Sequence, residues 1–529
     1  MEQAGYEFPA EAAYVVATPE WLGDKPEIDE ADIVDTTEAD IVIVGGGNAG
    51  LACAVTAAEG GKKVVVLEAQ DEDNMFWYGL HQIGTVNSKF CMDAGCPEID
   101  KSEFIADWQR RSLGYTNPCL VKKFVDNSGE TVDWLMENSP ESVVASTKVE
   151  LTEGCAEEYF ANGGDINGYK CWKGTITYPM NAGSFGEGAG AGDVAQESGG
   201  KALIAKSESL GAQWFWGYKG IVLETTEEEV PCKIEQVGED GVDVISDGTE
   251  THTRVTGVIA RDVKDRHYIR INASKGVILT TGGYGNNLEM MQARQPWNQK
   301  IRIAAPGKGG NPTGDGIKAA LWCGGEMDPL GAACTFNRAC VKPDELAGDG
   351  VVGEWWWFGE QPFMKVNLNG KRFCNESGPY DYMLHSTIMQ PGHTYCDIFD
   401  SDYAAQVKQM NEVGCCRLYP FDNGSPSNRS IDDMPALFDS LLEKGYLQKA
   451  DTPEELAEKL NIPVDNFVET FNRYNEMAEN GKDEDYNKEP YRLMALKTPP
   501  YYGIRTGAWF LATIDGCPIN TDMHPVNEA

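Results

Sequence analysis

The sequence predicts an α/β fold with a parallel sheet and flanking helices, joined to a second domain of α+β character. Two short runs of apolar, mainly β-branched residues, Ile41–Val44 and Val64–Leu67, enclose an alanine-rich segment. This β-α-β order is typical of a buried parallel sheet. From Met327 to Leu496 the pattern changes to long loops, many aromatic residues and an acidic helical stretch. A chain of 529 residues also favours more than one domain.

The first strand of this unit runs directly into Gly45–Gly50, which fits the pattern G-x-G-x-x-G. A helical segment follows from Ala49 to Glu59, and Glu68 ends the next strand. Such a unit supplies a tight turn, a helix N-terminus that accepts a pyrophosphate, and a carboxylate for a ribose. The residues therefore predict a Rossmann-like dinucleotide site rather than an ordinary strand–helix turn.

A second glycine cluster lies far along the chain. The apolar run Val277–Leu279 leads into Thr281–Gly283, and Thr313–Ile317 opens an alanine-rich helix. Between the two clusters, residues 195–210 have helical spacing and residues 213–224 have the pattern of a strand. These elements are expected to extend the same α/β domain.

Composition excludes several classes of partner. Lys and Arg total 44 against 83 Asp and Glu, a formal charge of −39, so nucleic acid and anionic membrane surfaces would be repelled. No run approaches the ~20 apolar residues of a membrane span. The 15 cysteines are scattered without a CxxC pair, which indicates reduced thiols and neither haem c nor an iron–sulfur cluster. No metal-ligand pattern is identified, and the acidic start without a secretory signal indicates a cytoplasmic protein.

Five segments of the chain form a specific set of motifs: D-I-V-I-V-G-G-G-N-A-G-L from Asp40, V-I-L-T-T-G-G-Y-G-N-N from Val277, T-G-D-G-I-K-A-A from Thr313, N-G-K-R-F-C-N-E-S-G-P-Y from Asn369 and P-P-Y-Y-G-I from Pro499. These segments resemble, in the same order, the FAD-binding domain of the fumarate reductase flavoprotein family. That family includes 3-ketosteroid dehydrogenases, urocanate reductase and anaerobic enone or acrylate reductases. The resemblance covers residues 39–529 and implies an FAD-dependent oxidoreductase acting on CH–CH groups.

The resemblance implies contacts to each part of FAD. The first glycine loop would line the pyrophosphate, Glu68 the ribose, and Gly84 with Thr85 the isoalloxazine side. FAD is expected to be non-covalent, because the S-H-T attachment motif of some members is missing around His81. The implied cofactor-binding residues are Gly45, Gly47, Asn48, Ala49, Gly50, Glu68, Gly84, Thr85, Thr281, Gly282 and Asp315.

The resemblance also implies an order of domains. Residues 1–38 would be an N-terminal extension, 39–326 the FAD-binding domain, and 327–495 an inserted α+β capping domain that closes over the flavin. Residues 496–529 would return to the FAD-binding domain. Family members continue with a further flavin-binding segment, so this last part is expected to be truncated or completed by another chain.

Two tyrosines are the candidate catalytic residues. Fumarate reductases present an arginine after N-E, whereas this chain has Tyr380 there, which resembles the proton-transfer tyrosine of the ketosteroid branch. A phenol titrates near ~10 and is therefore an acid by default. Tyr502 matches a family tyrosine that contacts the substrate carbonyl, although a packed turn aromatic is an equal alternative. The run Trp355–Phe358 either walls an aromatic or polycyclic substrate or forms a core strand.

These residues predict a reductase of a carbon–carbon double bond conjugated to a carbonyl. Hydride would come from flavin N5, Tyr502 or a backbone N–H would hold the carbonyl oxygen, and Tyr380 would protonate the α-carbon. A dicarboxylate substrate is disfavoured because Leu511–Gly516 lacks the family histidine. The alternatives are a ketosteroid-type dehydrogenase running in reverse and a non-catalytic flavoprotein or electron-transfer partner. The implied partners are a small-molecule substrate and a separate electron-donor protein.

Overall fold

The computed structural model describes residues 19–77, 82–149, 172, 174–182, 197–237, 243–295, 302–303, 312–347, 353–356, 358–359, 361–377, 380–410 and 430–525. His81 and Trp357 lie outside these residues, and the side chain of Tyr380 is also outside the described part.

The strands and α-helices of the described residues are numbered in chain order. The strands are β1 (Ile33–Val44), β2 (Val64–Glu68), β3 (Gln82–Gly84), β4 (Lys148–Val149), β5 (Thr175–Thr177), β6 (Gln213–Trp216), β7 (Tyr218–Val237), β8 (Asp243–Asp262), β9 (Tyr268–Leu279), β10 (Arg302–Ile303), β11 (Ala333–Val341), β12 (Glu354–Trp355), β13 (Met364–Asn367), β14 (Thr394–Phe399), β15 (Leu447–Ala450) and β16 (Tyr501–Thr513). The helices are α1 (Asn48–Glu59), α2 (Lys89–Asp93), α3 (Lys101–Arg111), α4 (Pro118–Glu137), α5 (Glu141–Ser146), α6 (Gly199–Ser209), α7 (Leu288–Arg294), α8 (Asp315–Leu321), α9 (Tyr380–Ile388), α10 (Tyr403–Met410), α11 (Met434–Glu443), α12 (Pro453–Lys459) and α13 (Val464–Asn480).

The first sheet is parallel on one side and antiparallel on the other. Its strands lie in the order β6-β2-β1-β9-β8-β7, and β1 pairs in parallel with both β2 and β9. All five residues of β2 are buried, as are the last three residues of β1, Val42–Val44. Strands covered on both faces have no solvent side, which is why the sequence shows continuous apolar runs instead of alternation. The predicted α/β, Rossmann-like fold is confirmed.

The β1–α1–β2 unit is held together by two glycines. Gly45 has a φ of +107°, and a Cβ there would lie 2.5 Å from the Thr280 carbonyl oxygen. A Cβ on Gly50 would lie 1.9 Å from the Gly45 carbonyl oxygen. A larger residue at Gly50 would push the helix away from the end of β1, and one at Gly45 would push the loop away from the end of β9. These glycines therefore allow the close packing that the motif predicts.

Residues 213–224 form two strands, where the sequence pattern indicates one. β6 ends at Trp216, Gly217 adopts a φ of +77°, and β7 begins at Tyr218. The turn at Gly217 sends the chain from one edge of the sheet to the other, because β6 pairs with β2 and β7 pairs with β8. A single glycine in an apolar run is a weak indication of such a break in sequence alone.

A second sheet, referred to below as the capping sheet, is built mainly from the predicted capping region. Its strands lie in the order β12-β11-β16-β14-β13, and β10 and β15 also pair with β16. Helices α12 and α13 cover one face through apolar residues such as Leu456 and Phe467. The central strand β16 comes from the segment predicted to return to the FAD-binding domain. It pairs within this sheet along its length, with Tyr502 opposite Phe399 on β14 and Thr513 opposite Ala333 on β11. The domain boundaries therefore remain a prediction. A small third sheet has the order β3-β5-β4.

Candidate functional site

A cavity of about 710 Å³ lies at the carboxyl ends of β1, β2 and β9. This edge is where ligands bind in open α/β sheets. The cavity brings together predicted residues that are far apart in sequence. Those that line it are Gly45, Gly47, Asn48, Ala49, Glu68, Thr281, Gly282 and Asp315.

The N-terminus of α1 is arranged to bind an anion. The first turn of a helix has N–H groups without intrahelical acceptors, and the N-cap residue Gly47 provides no side-chain hydrogen bond to them. A Cβ built on Gly47 would meet no atom within 4 Å, so the backbone faces open space in the cavity. Free donors, the helix dipole and the absent side chain all suit the pyrophosphate of a dinucleotide.

Glu68 is held at the end of β2 by backbone groups. It is 5% exposed, and its Oε2 accepts a hydrogen bond from the Gly46 N–H at 2.6 Å. Its Oε1 accepts from the Gln70 N–H at 2.8 Å. Each carboxylate oxygen carries a further lone pair, so Glu68 can also accept from the hydroxyl groups of a ribose lying in the cavity. The cavity, its open glycine backbone and this acceptor together fit FAD.

The second glycine cluster lines the cavity next to the first glycine loop. Gly282 has a φ of +72°, and a Cβ on Gly316 would lie 2.2 Å from Thr281 Oγ1, so α8 packs closely on the strand end. Asp315 at the start of α8 forms an ion pair with Lys219 at 2.7 Å and accepts a hydrogen bond from Thr313. These contacts explain why T-G-G and T-G-D-G occur together, since each fixes the position of the other.

Three predicted cofactor residues are placed away from this cavity. Gly50 packs α1 on β1, as described above. Gly84 ends β3, and the adjacent Thr85 is buried, with its N–H donating to the Gly174 carbonyl at 2.8 Å. The Thr85 hydroxyl has no hydrogen-bond partner among the described residues, and residues 78–81 next to β3 are outside that set. The isoalloxazine contacts of Gly84 and Thr85 stay a prediction.

The two candidate catalytic tyrosines lie on separate elements, a helix and a strand. Tyr380 is the first residue of α9. Tyr502 lies in the capping sheet, where its ring stacks on Phe399 at 5.2 Å and Lys449 Nζ lies 5.8 Å from its centroid. This environment corresponds to the packed aromatic alternative, and Tyr502 does not line the cavity. Their catalytic roles stay predictions. Trp356, from the same aromatic run as Trp355, is fully buried in this core.

Sequence reasoning missed several residues that line the cavity, among them Lys219, Trp77 and Thr513. Lys219 brings a positive charge to the wall through its pair with Asp315. Trp77 donates from Nε1 to the Gly46 carbonyl at 3.2 Å and supports the glycine loop. The glycine at position 217, two residues before Lys219, is a weak sequence signal for that residue, and no local motif surrounds Trp77 or Thr513.

Two aspartates and a histidine have the spacing of a metal site. Ligand atoms of Asp262, Asp265 and His267 lie within 4.8 Å of one another at the turn between β8 and β9. Asp262 Oδ1 already accepts the N–H groups of Lys264 and Asp265, which accounts for the cluster as a hydrogen-bonded turn.

Known proteins similar to this chain are reductases and dehydrogenases. A family profile described as "FAD binding domain" matches residues 40–187 and 236–529. A vinyl phenol reductase of Lactiplantibacillus plantarum is 24% identical over 493 residues, which cover 91% of this chain and 85% of that protein. A 3-oxosteroid 1-dehydrogenase of Mycolicibacterium smegmatis is 27% identical over 552 residues, covering 92% and 88%.

Among solved structures, a flavocytochrome c3 fumarate reductase in its open conformation has a TM-score of 0.61 and 19% identity, covering 94% of this chain and 72% of that chain. At this identity the likeness establishes the fold alone. In the described residues, no helix is both long and apolar enough to cross a membrane. The predicted resemblance and the predicted class, an FAD-dependent oxidoreductase acting on CH–CH groups, are confirmed. The chain belongs to the FAD binding domain family.

Proposed function

We propose that this protein is an FAD-dependent reductase of a carbon–carbon double bond conjugated to a carbonyl, of the enone or acrylate type. The observation that carries the proposal is the cavity itself. It extends from the anion-binding glycine loop to Ala512 and Thr513, at the end of the strand that runs through the capping sheet. A cofactor in this cavity would lie against the element that joins the two regions, and a substrate would reach it from the capping side. The similarity to a vinyl phenol reductase supports a conjugated substrate with an aromatic ring.

The bound FAD would supply hydride transfer. The residues of the chain would hold it non-covalently, with the α1 N-terminus at the pyrophosphate and Glu68 at the ribose. Tyr380 would donate the proton to the substrate α-carbon. A phenol is protonated at neutral pH, so it acts as an acid more readily than as a base. Tyr502 or a backbone N–H would hold the substrate carbonyl oxygen as negative charge develops.

The second candidate is the reverse reaction, a ketosteroid-type dehydrogenation. The similarity to a 3-oxosteroid 1-dehydrogenase across 92% of the chain favours it. This direction would require Tyr380 to act as a base, and so an environment that lowers the pKa of its phenol. We also propose a separate electron-donor protein for the reductive direction.

The experiment compares the two directions on one preparation. The holoprotein is photoreduced without oxygen and mixed with enones, acrylates, hydroxystyrenes and 3-oxosteroids in a stopped-flow instrument. A reductase is expected to reoxidise with at least one conjugated acceptor far faster than with buffer. If no acceptor reoxidises the flavin, but a saturated 3-oxosteroid bleaches the oxidised protein, the dehydrogenase is the correct function. A yellow protein inert in both directions would contradict both and support a non-catalytic flavoprotein.

The non-covalent state of FAD has its own test. Acid precipitation of the yellow protein is expected to leave the flavin in the supernatant with the absorption spectrum of free FAD. Flavin retained in the washed pellet would show a covalent bond and contradict this part of the proposal.

A further inference from the structure

Asp515 lies just beyond the end of β16 and is the acceptor in a buried cluster of four side chains. Its side chain is 1% exposed. Its Oδ1 accepts from the Tyr284 hydroxyl at 2.7 Å and from Gln295 Nε2 at 3.3 Å. Its Oδ2 accepts from Arg294 Nε and Nη2 at 3.1 and 3.0 Å. Burial and the neighbouring carboxylate keep the pKa of Tyr284 above its ordinary value, so the phenol remains a donor.

This cluster joins two segments that are remote in sequence. Tyr284 directly follows the second glycine cluster, whereas Asp515 follows the strand that runs through the capping sheet. Asp328 strengthens the junction, because its carboxylate accepts the Gly516 N–H at 2.8 Å and its carbonyl accepts from Arg294 at 2.5 Å. A buried carboxylate is costly unless it is fully hydrogen-bonded, and Asp515 has four such bonds. The end of β16 is therefore held firmly against the loop after β9.

The segment held in this way includes Thr513, which lines the cavity with Gly282 and Gly283. Thr513 Oγ1 accepts the Tyr284 N–H at 3.4 Å, and a Cβ on Gly283 would lie only 1.9 Å from it. The hydroxyl thus occupies the space that Gly283 leaves by having no side chain. Within the described part of the chain, no acceptor takes the hydrogen of this hydroxyl, which leaves Thr513 with a donor at the cavity wall.

We propose that Thr513 donates a hydrogen bond to an oxygen or nitrogen acceptor of FAD, and that Asp515 is the positioning residue that holds Thr513 there. The inference rests on the FAD site and is independent of the substrate and of the direction of the reaction. It assigns a role to the Leu511–Gly516 segment, which lacks the dicarboxylate-binding histidine of the fumarate branch.

The test measures the FAD dissociation constant of the apoprotein. Thr513→Val keeps the shape of the side chain and removes the donor, so the constant is expected to rise about threefold to tenfold, the usual weight of one hydrogen bond. Asp515→Asn is expected to raise it at least as much. The double variant should bind FAD no more weakly than Asp515→Asn, because both changes act through the same bond. The visible absorption bands of bound FAD should shift in the same direction in both single variants.

Asp483→Asn is the matched control. It also removes a buried carboxylate bound by an arginine, but in the capping region. We expect a lower Tm, with the FAD dissociation constant and absorption bands of the parent.

An FAD dissociation constant in Thr513→Val equal to that of the parent would overturn the proposal. If in that case the KM for the substrate rises, Thr513 contacts the substrate instead of FAD. If the two single variants raise the FAD dissociation constant by factors that multiply in the double variant, Asp515 acts only on the stability of the fold. That result would overturn its role in positioning Thr513.

Discussion

Glu68 in the FAD-binding region and Glu376 in the capping region are both buried glutamates, but they have opposite surroundings. Glu68 accepts hydrogen bonds from the backbone N–H groups of Gly46 and Gln70 and faces a cavity. Glu376 is 1% exposed and forms ion pairs with Arg372 at 2.8 Å and Lys488 at 3.4 Å. The two backbone N–H groups leave Glu68 with lone pairs that can accept from a ligand, whereas the cations around Glu376 use the acceptor capacity of that carboxylate fully. A binding site is therefore indicated by the donors and acceptors that the fold leaves open.

The capping cluster is completed by residues that satisfy one another. Arg372 binds Asp483 as well as Glu376, and Lys488 donates to the Tyr474 hydroxyl at 3.0 Å. Burial alone would raise the pKa of Asp483, but the hydrogen bonds and charge of Arg372 outweigh it and lower the pKa to about 2. Burial likewise opposes the charge of Glu376, while Lys488 and Arg372 hold its pKa below the ordinary value. We infer that this cluster supports the segment that leads to Tyr380.

The largest change in rate is expected from a substitution of Tyr380, because our proposal makes Tyr380 the proton donor to the substrate. Tyr380→Phe keeps the ring and removes its exchangeable proton. We expect FAD binding and reduction by an artificial donor to be unchanged, and reoxidation by substrate to slow by about 10²–10⁴-fold. Stopped-flow reoxidation measures this rate. Tyr395→Phe is the control, since the Tyr395 hydroxyl donates to the Gly359 carbonyl inside the core. A parental rate in Tyr380→Phe would remove Tyr380 from the mechanism.

A substitution of Arg372 tests how much the buried ion pairs of the capping cluster contribute to stability. Arg372→Met leaves Glu376 and Asp483 buried without their main cation, so the free energy of unfolding should fall by about 3–5 kcal/mol. Chemical denaturation measures the loss. Arg473→Met is the matched control, because Arg473 pairs with Glu484 and Glu476 at the surface and its loss should change stability little. Equal losses in the two variants would contradict the distinction between the buried and exposed networks.

Acid should weaken the capping cluster through Asp483. Its folded pKa of about 2 is below the unfolded value of ~3.9, so its contribution to stability is complete above that unfolded value and is lost as the pH falls through about 2. The free energy of unfolding of the parent should therefore fall between about pH 4 and pH 2. The fall should be smaller in Arg372→Met, where the cation that lowers the pKa is missing. Denaturation curves at several acidic pH values measure both slopes, and parallel slopes would contradict the assignment.

The smallest expected effect is on the FAD side. Glu68→Ala removes a charged acceptor for the ribose and should weaken FAD binding by about 1.5–3 kcal/mol, with less effect on folding. Fluorescence titration of the apoprotein measures the dissociation constant. Glu59→Ala is the control, because Glu59 lies at the other end of α1, where it accepts from Trp134. An unchanged constant in Glu68→Ala would count against the ribose assignment.

Residue type and spacing identified the β1–α1–β2 unit and eight of the residues that line the cavity. Gly45–Gly50 and Glu68 are close in sequence, and their geometry follows from one strand, one turn and one helix. Thr281, Gly282 and Asp315, from the T-G-G and T-G-D-G segments, also line the cavity, and their contacts to FAD stay a prediction. Backbone conformation and short-range packing decide such positions, so residue type and spacing were sufficient.

Tertiary structure alone decided the remaining features. Gly217 sends β7 to the far edge of the sheet and brings Lys219 to the cavity, and β16 crosses the capping sheet before Thr513 reaches the same wall. The pairing of Tyr502 with Phe399 likewise depends on the register between β14 and β16. Strand order arises from contacts between segments tens to hundreds of residues apart, and the hydrophobic pattern of a strand specifies its register only once its partner strand is known. Residue type and spacing were thus sufficient for the glycine loop and the cofactor class, whereas long-range strand pairing placed the other side chains that line the cavity.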